Sequence, residues 1–347
     1  MNSVCDFQEW TQSQHQAYTA ATQAQAAYLE ALEQTRPLRG GMHWKTIKGR
    51  DYLYRYRDRC GHGRSLGPRA PETERLFAAF ARERGALGER LQAQRRLLAE
   101  QARFCRAALL HRLPLLPAKI WRHLAPLDPS GQTFLVLGAA AIYAYEFAAA
   151  AFMVSPGQGG IFAGAETGLT LAAEQPAPPA ALLDCLQKAD RSFRALPGEA
   201  LKFSNQSGFL VQFLLPGTGS RGRPPAAGNG AAGQLPRAAG SLHYLLTAPR
   251  FSQVVIARDG TAVNLVAPDP RAFALHKLYL SRQEHRQEAK RRRDLSQAVA
   301  VADLVLRYLP QYYFFSADLR LFPEEIIHRA GKSPEADEFG PDLDIEY

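Results

Sequence analysis

Between Phe134 and Val154 the chain runs for 21 residues with a single charge, that of Glu146. A stretch so poor in charge has to leave water, either by crossing a membrane or by entering a core. Eight of its residues are alanine, a weak inserter, and Gly138 and Glu146 interrupt it. It therefore reads as a buried strand, Thr133–Leu137, followed by a buried helix, Ala139–Ala151, and no membrane partner is expected. Glu146 in such a helix reads more readily as a buried acid paired with a base than as a catalytic group.

The flanks supply the rest of such a core. After residue 133 the pattern alternates between strand and helix. Strands are expected at Leu169–Ala172, Leu201–Phe203, Phe209–Leu215, Gln253–Ala257 and Ala262–Val266. Helices are expected at Pro179–Ala195, Leu242–Leu246, Pro270–Ser281 and Arg286–Tyr308. Residues 216–240 hold seven Gly and four Pro and read as a flexible loop. The chain length of 347 residues allows two or three domains.

Ahead of this region the hydrophobic period changes twice. Residues 6–34 read as a helix with Phe7, Trp10, Tyr18, Tyr28, Leu29 and Leu32 on one stripe. Residues 42–47 and 52–57 alternate at two around Lys48-Gly49-Arg50-Asp51, a hairpin signature, with a third short strand near Arg64–Leu66. From Pro71 to about Leu110 a seam of Leu76, Phe80, Leu87, Leu91, Leu98 and Cys105 recurs at four and seven. Such a helical arm is expected to bury its seam on the first helix or on a second copy of the chain, giving a homodimer. The divisions read as 1–40 N-terminal helix, 41–70 β module, 71–128 helical arm, 129–267 α/β domain, 268–332 helical region and 333–347 acidic tail.

Charge singles out one of these segments. The protein carries a formal +9, yet the ten Lys/Arg and two Asp between Arg36 and Arg69 account for +8 of it. The β module therefore needs an anionic partner more than the rest of the chain does. Its hairpin places Tyr52, Tyr54 and Tyr56 on one face and Arg55 and Arg57 on the other. On the plain reading the tyrosines cover the long helix and the arginines are solvated. On the functional reading Trp44, Lys45, Lys48, Arg50, Tyr52, Tyr54, Arg55, Arg57 and Arg64 contact nucleic acid, through phosphates and stacked bases. The four cysteines lie at least forty residues apart, so neither a disulfide framework nor a zinc knuckle is indicated, and a cytoplasmic location fits.

Familiar nucleotide motifs fail on inspection. Gly217-Thr218-Gly219-Ser220-Arg221-Gly222 has dinucleotide spacing, but Arg223-Pro224-Pro225 follows and cannot supply the helix N-terminus that would hold a pyrophosphate. The Gly157–Gly164 run lacks the Gly-Lys-Ser/Thr of a phosphate loop.

The order of segments nevertheless resembles something specific. Leu135–Gly138 followed by Tyr143–Glu146 resembles the opening strand and helix of a polymerase-β-like nucleotidyltransferase fold. More narrowly, it resembles a bacterial family of nucleotidyltransferase-fold proteins. Similar stretches are Trp44-Lys45 with Tyr52–Arg55 and Ser65–Gly67, then Asn205–Phe209 and Val255–Gly260. The most distinctive is Pro268-Asp269-Pro270-Arg271-Ala272-Phe273-Ala274-Leu275-His276-Lys277, continued by Lys290–Asp294 and Gln297-Ala298. The resemblance implies an α+β fold: a mixed sheet with helices and a C-terminal helical region, preceded by a long-helix arm with a small antiparallel β module.

It also implies a chemistry. Nucleotidyl transfer uses two Mg²⁺ ions held by three carboxylates, two of them alternating on one strand so that they share a face. The family's alternating acids match Gly168 and Thr170, and the third matches Gln212, so none of the three positions is acidic. Glu166 and Glu174 are the possible substitutes. The nucleotide-facing pair matches Gly138-Ala139, and Asn205, His276 and Lys277 are further nucleotide-binding candidates. For Asn205 a role in shaping a turn weighs more, and for His276 and Lys277 a structural ion pair weighs equally. The first expectation is thus a catalytically degenerate protein, a pseudoenzyme that binds nucleotide or nucleic acid with no cofactor. The alternatives are an active Mg²⁺-dependent transferase with relocated acids, or an assembly protein using the helical arm.

Overall fold

The computed structural model describes residues 5–56, 62–127, 133–154, 161–162, 164–173, 177–199, 201–215, 245–284, 286–315 and 319. The loop 216–240, the acidic tail, the boundary near residue 128, Arg57 and Glu174 lie outside the described residues.

In chain order the elements open with β1 (Asp6–Glu9), α1 (Gln12–Gln34), β2 (Gly41–Ile47), β3 (Arg50–Tyr56) and β4 (Gly63–Pro68). Next come α2 (Pro71–Ala107), α3 (Leu115–Leu124), β5 (Phe134–Leu137), α4 (Ala139–Ala149), β6 (Ala151–Val154) and β7 (Gly168–Ala173). The chain continues with α5 (Pro179–Ala189), β8 (Arg194–Ala195), β9 (Lys202–Ser204), β10 (Leu210–Leu214), β11 (Arg250–Ile256) and β12 (Ala262–Pro268). Last are α6 (Pro270–Ser281) and α7 (Glu288–Tyr308). The architecture is mixed α+β. The chain divides into two compact units, one built around residues 111–259 and 263–347 with the first fifteen residues, the other from residues 16–110 and 260–262.

The larger unit is organised on a five-stranded sheet of order β5-β7-β10-β9-β8, with β7 and β10 parallel and the other pairs antiparallel. One face of its central strands is apolar and buried: Phe134, Val136, Leu169, Leu171, Val211 and Phe213. The β5–α4 segment is the charge-poor stretch of the sequence. Every side chain from Ala140 to Phe147 is buried, and no described helix is long and apolar enough to cross a membrane. The helix stops at Ala149 rather than Ala151, because Ala150 turns left-handed (φ 50°) and Ala151–Val154 pairs with β1.

That pairing also corrects the expected 6–34 helix. Asp6–Glu9 is a strand, and the helix begins only at Gln12. Thr11 and Gln14 form a reciprocal cap there: the Thr11 amide donates to Gln14 Oε1 (2.8 Å) and the Gln14 amide to Thr11 Oγ1 (3.3 Å). The helix expected to reach Ala195 ends at Ala189. Beyond it, Asp190 accepts from the Ser192 amide (2.9 Å) and from Asn205 Nδ2 (2.8 Å), which turns the chain into β8.

The smaller unit joins α1, the three-stranded antiparallel sheet β2-β3-β4 and α2. The β2–β3 loop is Lys48-Gly49 with φ of 50° and 76°, the paired positive φ of a tight two-residue hairpin turn. Helix α2 spans 37 residues. Cys105 Sγ reaches Ala17 O (3.7 Å) at one end, and Arg90 bonds Gln34 Oε1 (2.8 Å) and Glu30 at the other, so α1 and α2 run antiparallel. Of the expected seam, only Cys105 is buried. Phe80, Leu87, Leu91 and Leu98 are half-buried, and Leu76 is 53% exposed. Toward its N-terminus the helix rises past the end of α1, so the seam has a deep end and a shallow one.

Candidate functional site

The positions matched to acids do converge. Strand β10 sets Gln212 beside Thr170 and Leu210 beside Gly168, while β5 sets Leu137 opposite Thr170. Because residues i and i+2 share a face, Gly168, Thr170 and Gln212 lie together on the half-buried face, opposite the apolar one. Lys202, across from Gln212 on β9, continues this row. Its Nζ bonds Glu199 at 2.8 Å. The sequence reading missed Lys202, since nothing short of the register connects it to Gln212.

Gly168 occupies a closed position. A Cβ there would stand 2.9 Å from the backbone oxygen of Leu210, too close for any side chain without a shift of the strand. Glu166 does not take its place. Gly164–Thr167 forms a turn, with the Gly168 amide donating to Gly164 O (3.0 Å), and Glu166 leaves that turn to ion-pair with Arg258. Glu166 therefore stands on the turn before β7 and not on the strand.

Gly138, with φ 68°, forms the sharp step from β5 into α4, and a Cβ there would meet nothing within 4 Å. Leu137 pairs with Thr170, so the α4 N-terminus opens beside the same row. Arg293 Nη1 lies 3.6 Å from where a Gly164 Cβ would stand, and Gln297 Nε2 holds the Ile161 carbonyl at 2.7 Å, so α7 flanks the turn that leads into β7.

Two candidates have their polar groups engaged elsewhere. Asn205 Oδ1 accepts from the Phe209 amide and from Ser207 Oγ, both at 2.8 Å, which shapes the β9–β10 turn. Lys277 Nζ lies 2.8 Å from Asp294 Oδ1, and Arg286 Nε lies 2.5 Å from Asp294 Oδ2. Asp294 is fully buried between these two cations. Burial pulls the Lys277 ammonium down, and Asp294 opposes that. His276 is buried on α6. Glu146 is fully buried, bonded by Arg112 Nη2 (2.8 Å) and by the Met153 amide (2.7 Å). Burial lifts its carboxyl to about 7 despite Arg112.

The donor set around Gly168, Thr170 and Gln212 does not fit the two Mg²⁺ ions that the fold implies. A hydroxyl and an amide bring no negative charge to balance a divalent ion, and glycine brings no donor. Among the described residues no group of three His, Cys, Asp or Glu side chains is placed to hold a metal ion.

In the β module the orientation of the faces reverses the plain reading. Leu53 is fully buried, Trp44 lies 5.9 Å from Phe77, and Arg55 lies over the Phe80 ring at 4.5 Å, so this face covers α2. Arg69 completes it, over Trp44 at 5.1 Å and ion-paired with Asp51 and Glu74. The tyrosines point the other way. Tyr54 and Tyr56 stack at 6.1 Å, His43 lies 5.9 Å from Tyr56, and Lys45 sits 5.6 Å from the Tyr54 centroid. Tyr52, paired with Lys45 across the strands, is half-buried. Lys48, Arg50 and Arg64 are exposed. Even–odd alternation put the tyrosines on one face correctly, but only packing reveals which face meets the helix.

Comparison with known families matches residues 116–319 to a model described as nucleotidyltransferase. The match spans more than half of the chain and includes β5, β7, β10, α6 and α7. The chain belongs to this nucleotidyltransferase family. No curated protein and no solved structure gave a match.

Proposed function

We propose that the chain is a catalytically silent nucleotidyltransferase-fold protein that binds a nucleotide without metal-dependent transfer. The observation that carries this reading is the row Thr170–Gln212 with Gly168 beside it: a register suited to a metal clamp, furnished with uncharged groups. Closure of the Gly168 position by Leu210 O supports the same reading. The nucleotide's phosphates would lie at the α4 N-terminus at Gly138-Ala139, with Arg293, beside the Gly164 turn into β7, as a candidate further contact.

The test is incubation of the purified protein with each labelled nucleoside triphosphate and Mg²⁺ or Mn²⁺. No transfer to protein, RNA or small acceptors is expected. Transfer abolished by chelator overturns the reading and makes Glu166 and Glu174 the first residues to replace. Calorimetry with the same nucleotides in chelator should show binding that Arg293→Ala weakens.

A second reading, nucleic-acid binding by the β module, is favoured by the half-buried Tyr54–Tyr56 stack flanked by Lys45 and His43. Base stacking on such rings tolerates any sequence.

A further inference from the structure

Within the smaller unit, a cavity of about 590 Å³ is lined by Arg36, Arg39, Arg55, His62, Gly63 and Arg64, together with Pro37. Among the described residues its lining contains no acid. Arg36 reaches out to Glu33 (3.1 Å). Arg55 is held by backbone carbonyls, donating to Pro37 O (2.7 Å) and Gly41 O (3.2 Å), so its charge is fixed in place without being neutralised. Arg64 stands directly opposite Arg55 in the β3–β4 ladder. Like charges so placed repel one another, and folding alone gives no reason to set them there. Arg39 and Arg64 are exposed. Burial and the nearby charge of Arg84 both push the Arg55 guanidinium down, the direction expected of a crowded cation.

The cavity borders the aromatic face at Gly63. A Cβ on Gly63 would stand 2.8 Å from Tyr56 Cδ1, so the Tyr56 ring lies against the cavity wall. From there Tyr56 stacks on Tyr54, and Lys45 covers Tyr54. We infer that this cavity is a phosphate site for single-stranded nucleic acid, with the neighbouring bases laid on Tyr56 and Tyr54. The inference rests on the nucleic-acid reading of the β module, and it is independent of the sheet site. Several guanidiniums converging on one space match the oxygens of a phosphate. Rings beside them match unpaired bases, which a duplex would keep stacked internally.

The experiment titrates the full chain with a fluorescent single-stranded 12-mer, the matching duplex, and inorganic phosphate at several salt concentrations. Wild type is compared with Arg39→Ala/Arg64→Ala, whose side chains are exposed, and with Tyr54→Leu, each checked for an unchanged fold by circular dichroism. Single-strand binding should weaken in the double variant by about 25-fold at 0.1 M salt, with the logarithmic salt slope shallower by about 1.4, the value for two lost phosphate contacts. Tyr54→Leu should weaken binding and leave the slope unchanged. Single-strand binding that is unaffected in the double variant overturns the cavity assignment and leaves the module reading standing. No binding of the 12-mer by wild type overturns both. Duplex bound as tightly as single strand, or inorganic phosphate bound as tightly as the 12-mer, overturns the assignment to a single strand.

Discussion

The β7–β10 row and the β2–β4 module present opposite combinations of geometry and charge. The row has a register that would bring three carboxylates together, and neutral groups occupy it. The module lies outside residues 116–319, where the family match falls, yet it concentrates cations, of which Arg36 and Arg69 have carboxylate partners while Arg55 is held by backbone carbonyls. In the larger unit Glu166 has Arg258, Lys202 has Glu199, and Asp294 has Lys277 and Arg286. In the module Arg55 and Arg64 face each other. Compensated charge holds a fold together; uncompensated charge is what an external anion can use.

The largest expected effect tests the compensated side. Asp294→Ala would leave Lys277 and Arg286 without their shared carboxylate, and should cost about 3–5 kcal/mol in denaturant unfolding. A loss under 1 kcal/mol would mean that Lys277 is not held by this pair and is available to a ligand.

Glu146 should give the larger unit a pH signature. Its carboxyl sits at about 7 when folded, against 4.5 when exposed. Between those values only the folded state keeps the proton, so unfolding releases it and stability falls as pH rises. Above about pH 7 this contribution is flat. The expected slope, about 1 kcal/mol per pH unit across that window, should be absent from Glu146→Gln. Equal slopes in melting curves of the two proteins would refute the assignment.

Gly168→Ala addresses the row itself. The added methyl group should cost about 1–3 kcal/mol through its clash with Leu210 O. By contrast, Thr170→Asp with Gln212→Asp should fold and should gain thermal stability on addition of Mg²⁺, whereas wild type should not. An Mg²⁺-independent melting temperature in that variant would show that the two positions do not face one another as a clamp requires.

The smallest effects belong to the module and its arm. Leu91→Asp, at a half-buried position, should cost about 1 kcal/mol, well below a fully buried substitution. Arg64→Thr should stabilise slightly at low salt, with the gain vanishing at high salt as screening removes the Arg55 repulsion. A loss of stability at low salt would show that Arg64 is a structural cation and would erase the contrast between the two regions.

Much of the fold was legible because its signals are local. The period-two runs gave β2 and β3, Lys48-Gly49 gave their turn, and Pro270–Ser281 is marked by proline at its start. The Thr11–Gln14 cap was legible too, had residues 6–9 not shared the apolar stripe of the following helix. The arm's seam was legible as a period, while its burial was not. How far a stripe is covered depends on where the partner helix ends, and α1 stops while α2 continues.

The sequence by itself determined where the charge lies, that most of the Phe134–Val154 stretch belongs in a core, and that Gly168, Thr170 and Gln212 carry no carboxylate. Each is a property of residue type or of spacing along one element, settled by side-chain chemistry and backbone periodicity. The tertiary structure decided what these residues meet. Strand pairing put Gln212 beside Thr170 and Lys202 beside Gln212, and closed Gly168 against Leu210. Packing turned Leu53 and Arg55 toward α2 and left Tyr54 and Tyr56 facing away. Alternation along a strand fixes which residues share a face, but which face is covered depends on elements distant in the chain.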